Sequence, residues 1–264
     1  MPVYRGSRYS LLNRRTVASV YDTNAEVIFR SFTTAPDATR KGHINTLVLA
    51  LKTAGAWQLI DALYVTAAAT AQAARINWKS PGNFTLVEVN SPTFEADRGY
   101  TGDGSTNYLD SEWDPVNNAG VYAQDSAHMG GYALTTDALA GYDFGTGTSS
   151  RTRIRSRSGA SGGASINGTA VAGGTGTTTF PAHYMGMRRD ASNILIWIKG
   201  VLNNTVANAS AALVSTDFNL LRANNTFSAR QIAAWHWGGA LDDTQAAAVA
   251  TALHTYMVAV GADT

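Results

Sequence analysis

From about residue 74 onward, short runs of alternating apolar and polar residues recur roughly every ten positions, separated by Gly, Pro, Asn or Asp. The runs at 75–79, 84–89, 108–113, 130–135, 150–156, 165–171, 182–188, 194–202, 218–222 and 227–236 are too short for helices and carry the period of two of a half-buried strand. A chain of many short strands must close into a stacked or rolled sheet, so a β-sandwich or barrel is predicted. With 264 residues there is room for one large sandwich and little for a second full domain.

The first 63 residues read differently. Residues 1–35 form a basic, tyrosine-containing arm with Tyr4, Arg5, Arg8, Tyr9, Arg14 and Arg15, followed by a short strand-like run at 25–32. An arm with so little apolar content builds no core of its own, so it is expected to anchor against the domain behind it or a partner chain, the alternative being a floppy terminus. Residues 36–63 make a helical segment: Pro36 opens a pattern in which Ile44, Leu47, Val48 and Leu51 share one face, and Gly55 stands where a helix stops. A second short helical turn is expected over 56–63, with extended chain over 64–68. Residues 64–264 are assigned to the sandwich and a closing helix, in which Asp242 and Gln245 have capping-box spacing and Val249, Leu253, Tyr256, Met257 and Val260 form one stripe.

Composition removes several function classes. Twenty Lys and Arg against nineteen Asp and Glu leave no global field to draw the chain to nucleic acid or to an anionic membrane. With no cysteine, neither disulfides nor thiolate-bound metal staple the fold, and the core must hold it alone. Residues 1–20 lack the apolar stretch of a secretory signal, and the small-residue tract at 65–74 is too short and too polar to cross a bilayer, so no membrane insertion is expected.

Four segments in order resemble the laminin-G and concanavalin A-like jelly roll: Tyr100-Thr101-Gly102-Asp103-Gly104 through Tyr108-Leu109-Asp110; the hairpin from His183 to Leu202, with Lys199-Gly200 where the family usually has Asn-Gly; the strand 228–237; and the closing segment Leu241-Asp242-Asp243-Thr244-Gln245. The resemblance implies a mainly β fold, an antiparallel jelly-roll sandwich with an N-terminal arm, a helical preface and a C-terminal helix, whose Tyr and Leu point into the sandwich. The combination with the helical preface is similar to tail, fibre or spike proteins of bacteriophages and gene-transfer particles. It implies a structural virion-type protein, made in the host cytoplasm without a signal peptide, that contacts other virion proteins, copies of itself and host-surface polysaccharide.

No catalytic set emerges, and a non-enzymatic role is expected, the alternatives being a glycan-degrading hydrolase on the same fold or a purely architectural capsid or baseplate protein. Gly159-Ala160-Ser161-Gly162-Gly163 has the letters of a nucleophile elbow, but no helical pattern follows it. Glu95 and Asp97 give half of a glycosidase carboxylate pattern, and Arg98-Gly99-Tyr100 follows where a further Glu would stand. The five histidines, 43, 128, 183, 236 and 254, show no metal-ligand spacing. Asp97, Asp103 and Asp110 are candidates for calcium, turn-forming Asp being the other reading; no other cofactor is expected.

Arg151, Arg153, Arg155 and Arg157 alternate with Thr152, Ile154 and Ser156, so on a strand their guanidinium groups leave one face. Planar forks of this kind suit carboxylate or phosphate groups of a polysaccharide, whereas the competing reading is an edge strand guarded by charge. Trp113 and Trp235 are candidates for stacking on sugar rings, with core packing as the competing reading.

Overall fold

The computed structural model describes residues 20–135, 141–146, 151–158, 161–175 and 179–263, and within them the side chains of residues 157, 158 and 161 are outside the description. The arm residues Tyr4, Arg5, Arg8, Tyr9, Arg14 and Arg15 lie outside the described residues.

Two antiparallel sheets stack on each other, and a helical layer covers the far side of the first. Numbering strands in chain order, the first sheet runs β13 (Val201–Ala207), β12 (Asn193–Ile198), β11 (Ala182–Arg188), β6 (Ala127–Ala133), β17 (Gln231–Gly238), β4 (Gly99–Thr101) and β3 (Thr93–Glu95), with β1 (Ile60–Val65) pairing beside β17. The second runs β10 (Ala172–Gly173), β9 (Ser161–Gly168), β8 (Arg151–Ser158), β7 (Phe144–Thr146), β14 (Asn219–Leu220), β5 (Tyr108–Asp110) and β2 (Val87–Val89). A small ribbon of β15 (Arg222–Ala223) and β16 (Thr226–Phe227) adjoins it. The predicted antiparallel sandwich is therefore present, and so is the closing helix.

Strand alternation splits the apolar residues into two cores. Met129, Tyr184 and Ile196 of the first sheet meet Phe144, Ile154, Ala164 and Ile166 of the second, together with Tyr100 and Leu109. Met185, Met187, Leu195 and Trp197 face the other way, toward the helices. A register shift between Ile232 and Ala234 breaks the simple alternation of β17. As a result Ile232, Trp235 and Trp237 all point into the inter-sheet core, while Ala233 and Ala234 both face the helices.

The helical layer consists of α1 (Thr23–Ser31), α2 (Ala38–Thr53) and α4 (Asp243–Ala259), whereas the four-residue α3 (Ala71–Ala74) buries Ala73 and Ala74 with the inter-sheet core. In α2 the stripe of Ile44, Leu47, Val48 and Leu51 is buried, and Gly55 takes a left-handed φ of 71° just past the end. Helix α4 begins with the expected capping box between Asp242 and Gln245.

Four local expectations are corrected. Residues 25–32 are helical, because Asp22 caps the segment and Ala25, Ile28 and Phe29 fall on one buried helical face, outweighing the β-branched pair Val27-Ile28. Residues 75–79 form a turn after α3: Ile76 and Trp78 are buried, but the Asn77 carboxamide accepts from Leu63 N and Lys79 N and holds the chain off the sheet. Of the turn predicted over 56–63 only Trp57–Leu59 is helical, and Ile60 already starts β1, while in 84–89 only Val87–Val89 is strand.

Candidate functional site

The alternation predicted for β8 is realised. Thr152, Ile154 and Ser156 are buried on the inner face, and Arg151, Arg153 and Arg155 stand partly exposed on the outer one. The Arg157 side chain is outside the described residues. Strand β8 is an inner strand, paired with β7 on one side and β9 on the other. The edge-strand reading of this segment is thereby overturned, since a strand with both hydrogen-bonding sides occupied needs no charge to guard it.

The residues that flank the arginines on the neighbouring strands are small. Arg153 sits between Gly145 and Ser165, and Arg155 opposite Gly163. The guanidinium groups therefore find few side chains beside them, apart from the Tyr142 ring, whose centroid lies 4.2 Å from Arg153 Cζ and 5.5 Å from Arg155 Cζ. Among the described residues none of the three makes an ion pair, and their buried Nε atoms have no hydrogen-bond partner. At the strand spacing of about 7 Å, neighbouring like charges repel by about 0.6 kcal/mol in water and about 2.4 kcal/mol at an effective dielectric of 20. The strain registers at Arg153, whose pKa is lowered first by burial and further by Arg151 and Arg155, against the opposing pull of Tyr142.

The ladder is held from behind. Thr152 Oγ1 and Tyr122 Oη both meet Asn167 Oδ1, at 2.8 and 2.7 Å. Asp143, fully buried, takes the Ser156 N–H, the Ser228 hydroxyl at 2.8 Å and the guanidinium of the equally buried Arg230 at 2.6 Å. A charge pair with its remaining lone pairs satisfied in this way fixes the register of β8 against β7.

Other sequence candidates are placed elsewhere. Trp113 and Trp235 are 1% and 0% exposed, so neither offers a ring face to a sugar. Trp113 packs 5.0 Å from Phe218, 5.5 Å from Trp237 and 5.8 Å from Tyr122, and the indoles serve the inter-sheet core. The three aspartates do not converge. Asp97 pairs with Arg40 at 2.6 Å, and Asp110 accepts from Glu112 N. Asp103 closes its own loop; burial works to raise its pKa but is outweighed by the Thr106 hydroxyl and the N–H groups of Thr106, Ser105 and Asn107, which hold it well below the usual range. No group of three metal-binding side chains occurs among the described residues. Glu95 accepts from Gln231 Nε2 at 2.7 Å, and Asp97 lies in a turn with φ of 60°, so the two do not share a strand face. Ser161 opens β9, and no helix follows it.

One constellation escaped the sequence reading. His128, His183 and His236, on the adjacent strands β6, β11 and β17, form a fully buried string on the helix-facing side of the first sheet. His128 Nδ1 lies 2.5 Å from the Gly239 carbonyl, His128 Nε2 lies 3.1 Å from His236 Nδ1, and His236 Nε2 lies 2.9 Å from His183 Nε2. A carbonyl only accepts, so His128 donates from Nδ1, and every tautomer along the string follows. His236 donates to His128, His183 donates to His236, and His183 Nδ1 remains an acceptor without a partner. The contact needs Gly130 beneath it, because a Cβ there would lie 2.6 Å from His236 Nε2. Linear spacing carried no hint of this; only the strand pairing unites the three.

No known protein family matches the sequence, and no curated protein matches it. Solved structures do match in fold. Botulinum neurotoxin type C, in a structure on the dependence of its cell entry on two ganglioside molecules, superposes with a TM-score of 0.54 at 10% identity, over 76% of this chain and 53% of that one. The binding domain of botulinum neurotoxin DC in complex with rat synaptotagmin II gives 0.52 at 11% identity, over 75% and 52%. Trypanosoma rangeli sialidase in complex with sialic acid gives 0.50 at 9% identity, over 78% and 38%. This chain thus spans about half the length of the toxin domains and less of the sialidase. At such identities the likeness is one of architecture: the chain has the antiparallel β-sandwich fold that these proteins contain.

Proposed function

We propose that this protein is a carbohydrate-recognition sandwich that holds acidic polysaccharide on the outer face of the second sheet, through Arg151, Arg153 and Arg155, without cleaving it. The observation that carries the reading is the ladder itself: three mutually repelling guanidinium groups on an inner strand, flanked by Gly145, Gly163 and Ser165, with no carboxylate opposite them among the described residues. Repeated carboxylates along a polymer are the natural complement, since each planar fork pairs with one in two parallel bonds. Glycan ligands of the fold's other members, the gangliosides and sialic acid named for the toxin and the sialidase, agree with such a use of this architecture.

The setting we propose is a virion-type particle in which residues 1–35 anchor the sandwich to neighbours and many copies multiply weak single contacts. The test is binding of the full chain to immobilised polygalacturonate and to neutral dextran, with released reducing ends assayed in parallel. Salt-sensitive retention on the acidic polymer alone, lost in the triple variant Arg151→Gln, Arg153→Gln, Arg155→Gln and without chain shortening, is the expected result. Equal retention on dextran refutes the ladder's role, and chain shortening refutes the non-catalytic reading.

A further inference from the structure

A second polar site lies on the other side of the molecule, independent of the arginine ladder. A cavity of about 400 Å³ opens where α4 crosses the edge of the first sheet, walled by Tyr132, Pro181, His183, Lys199, His254 and Asp263. That size suits a small molecule. Asp263, only 15% exposed, accepts at Oδ2 from the Tyr132 hydroxyl and from His254 Nδ1, the latter at 3.1 Å. Burial, and then the bond to Asp263 and its charge, raise the Tyr132 pKa, so the phenol stays a donor. Among the described residues nothing occupies Asp263 Oδ1.

Lys199 supplies the opposite charge. It is the first residue of the two-residue turn joining β12 to β13, in the left-handed region at φ 52°, followed by Gly200 at φ 78°. This turn favours Asn-Gly, and a lysine there costs stability that asparagine avoids. Its ammonium reaches only the Thr179 hydroxyl at 3.2 Å and pairs with no carboxylate among the described residues. Gly200 seats the turn against Ala247 and Ala250 of α4, which fixes the cavity's rim. His183, whose Nδ1 is the leftover acceptor of the imidazole string, belongs to the same wall.

A cation on one wall, a carboxylate with a free acceptor oxygen on another and an apolar Phe180-Pro181 side together specify the ligand class. We propose that this cavity binds one acidic sugar unit, a hydroxylated ring with a carboxylate, which Lys199 pairs while Asp263 accepts from the ring hydroxyls. An amino acid would meet the same charges, but the cavity is larger than such a ligand needs.

The experiment is titration of the full chain with D-glucuronate and D-galacturonate, followed by NMR and calorimetry, with glucose, galactose and alanine as comparisons. The key variant is Lys199→Asn, which suits the turn better than lysine and so raises the thermal midpoint while weakening uronate binding about tenfold or more. Arg30→Gln, which removes an exposed charge outside the cavity and outside the ladder, leaves uronate binding unchanged. No uronate binding at ~10 mM, unchanged binding in Lys199→Asn, an equal loss in Arg30→Gln, or equal binding of glucose or alanine overturns the proposal, and none of these results bears on retention of the polymer.

Discussion

Acidification from pH 6.5 to 5 is expected to unfold this protein through its imidazole string, well before ordinary carboxylates titrate. His128 is pushed down to about 4 and His183 to about 3, both by burial first, with the charge of His128 adding at His183; His236 is lowered strongly by the same burial and by both neighbours. In the unfolded chain each imidazole returns to about 6.5. The folded values are depressed, so the unfolded state binds protons that the folded state refuses, and stability is full above pH 6.5 and falls as the pH drops toward 4. Each histidine contributes about 1.4 kcal/mol per pH unit in that window, the three together about 4 kcal/mol. Between pH 6.5 and 5 the loss is about 5 kcal/mol, comparable with the whole margin of a domain at about 5 to 15 kcal/mol. Urea unfolding followed by circular dichroism at half-unit pH steps measures this slope directly. Replacing His183 with Gln should lower the slope by about a third, and a wild-type slope below about 1 kcal/mol per pH unit in this window refutes the reasoning.

Two further outcomes follow from buried geometry. Arg230→Met leaves Asp143 charged and unpaired inside the sandwich and should cost about 3 to 5 kcal/mol in chemical denaturation, with much of it recovered when Asp143→Leu is added. Gly130→Ala places a methyl group 2.6 Å from His236 Nε2 and 3.0 Å from the Tyr184 carbonyl, so it should destabilise by about 1 to 3 kcal/mol and flatten the pH slope just described.

The sandwich was legible because its strands carry period-two patterning and turn residues, and the ends of α2 and α4 because Gly55 and the Asp242–Gln245 pair are local signals. Helix α1 was misread because nine residues give too few turns for its period of 3.6 to outvote Val27 and Ile28. The arginine alternation was readable, but whether β8 lay inside or at the rim of its sheet depended on pairing with β7 and β9, which no local pattern encodes. The same limit hid the histidine string: His128, His183 and His236 are 55 and 53 residues apart along the chain and meet only through the order β11, β6, β17. Trp113 and Trp235 illustrate the reverse difficulty, since an indole on a strand looks the same in sequence whether it faces a sugar or a core.

The role assigned to the ladder is tested most directly by arginine side-chain NMR during titration with an oligogalacturonate. The Nε–H signals of Arg151, Arg153 and Arg155, which have no hydrogen-bond partner within the protein, should move together in a salt-dependent way as their guanidinium groups engage the ligand, while that of buried Arg188, already bonded to the Ile166 carbonyl, stays still. Ladder signals that remain fixed while the oligosaccharide binds elsewhere, or that move equally with a neutral glucan, contradict the account.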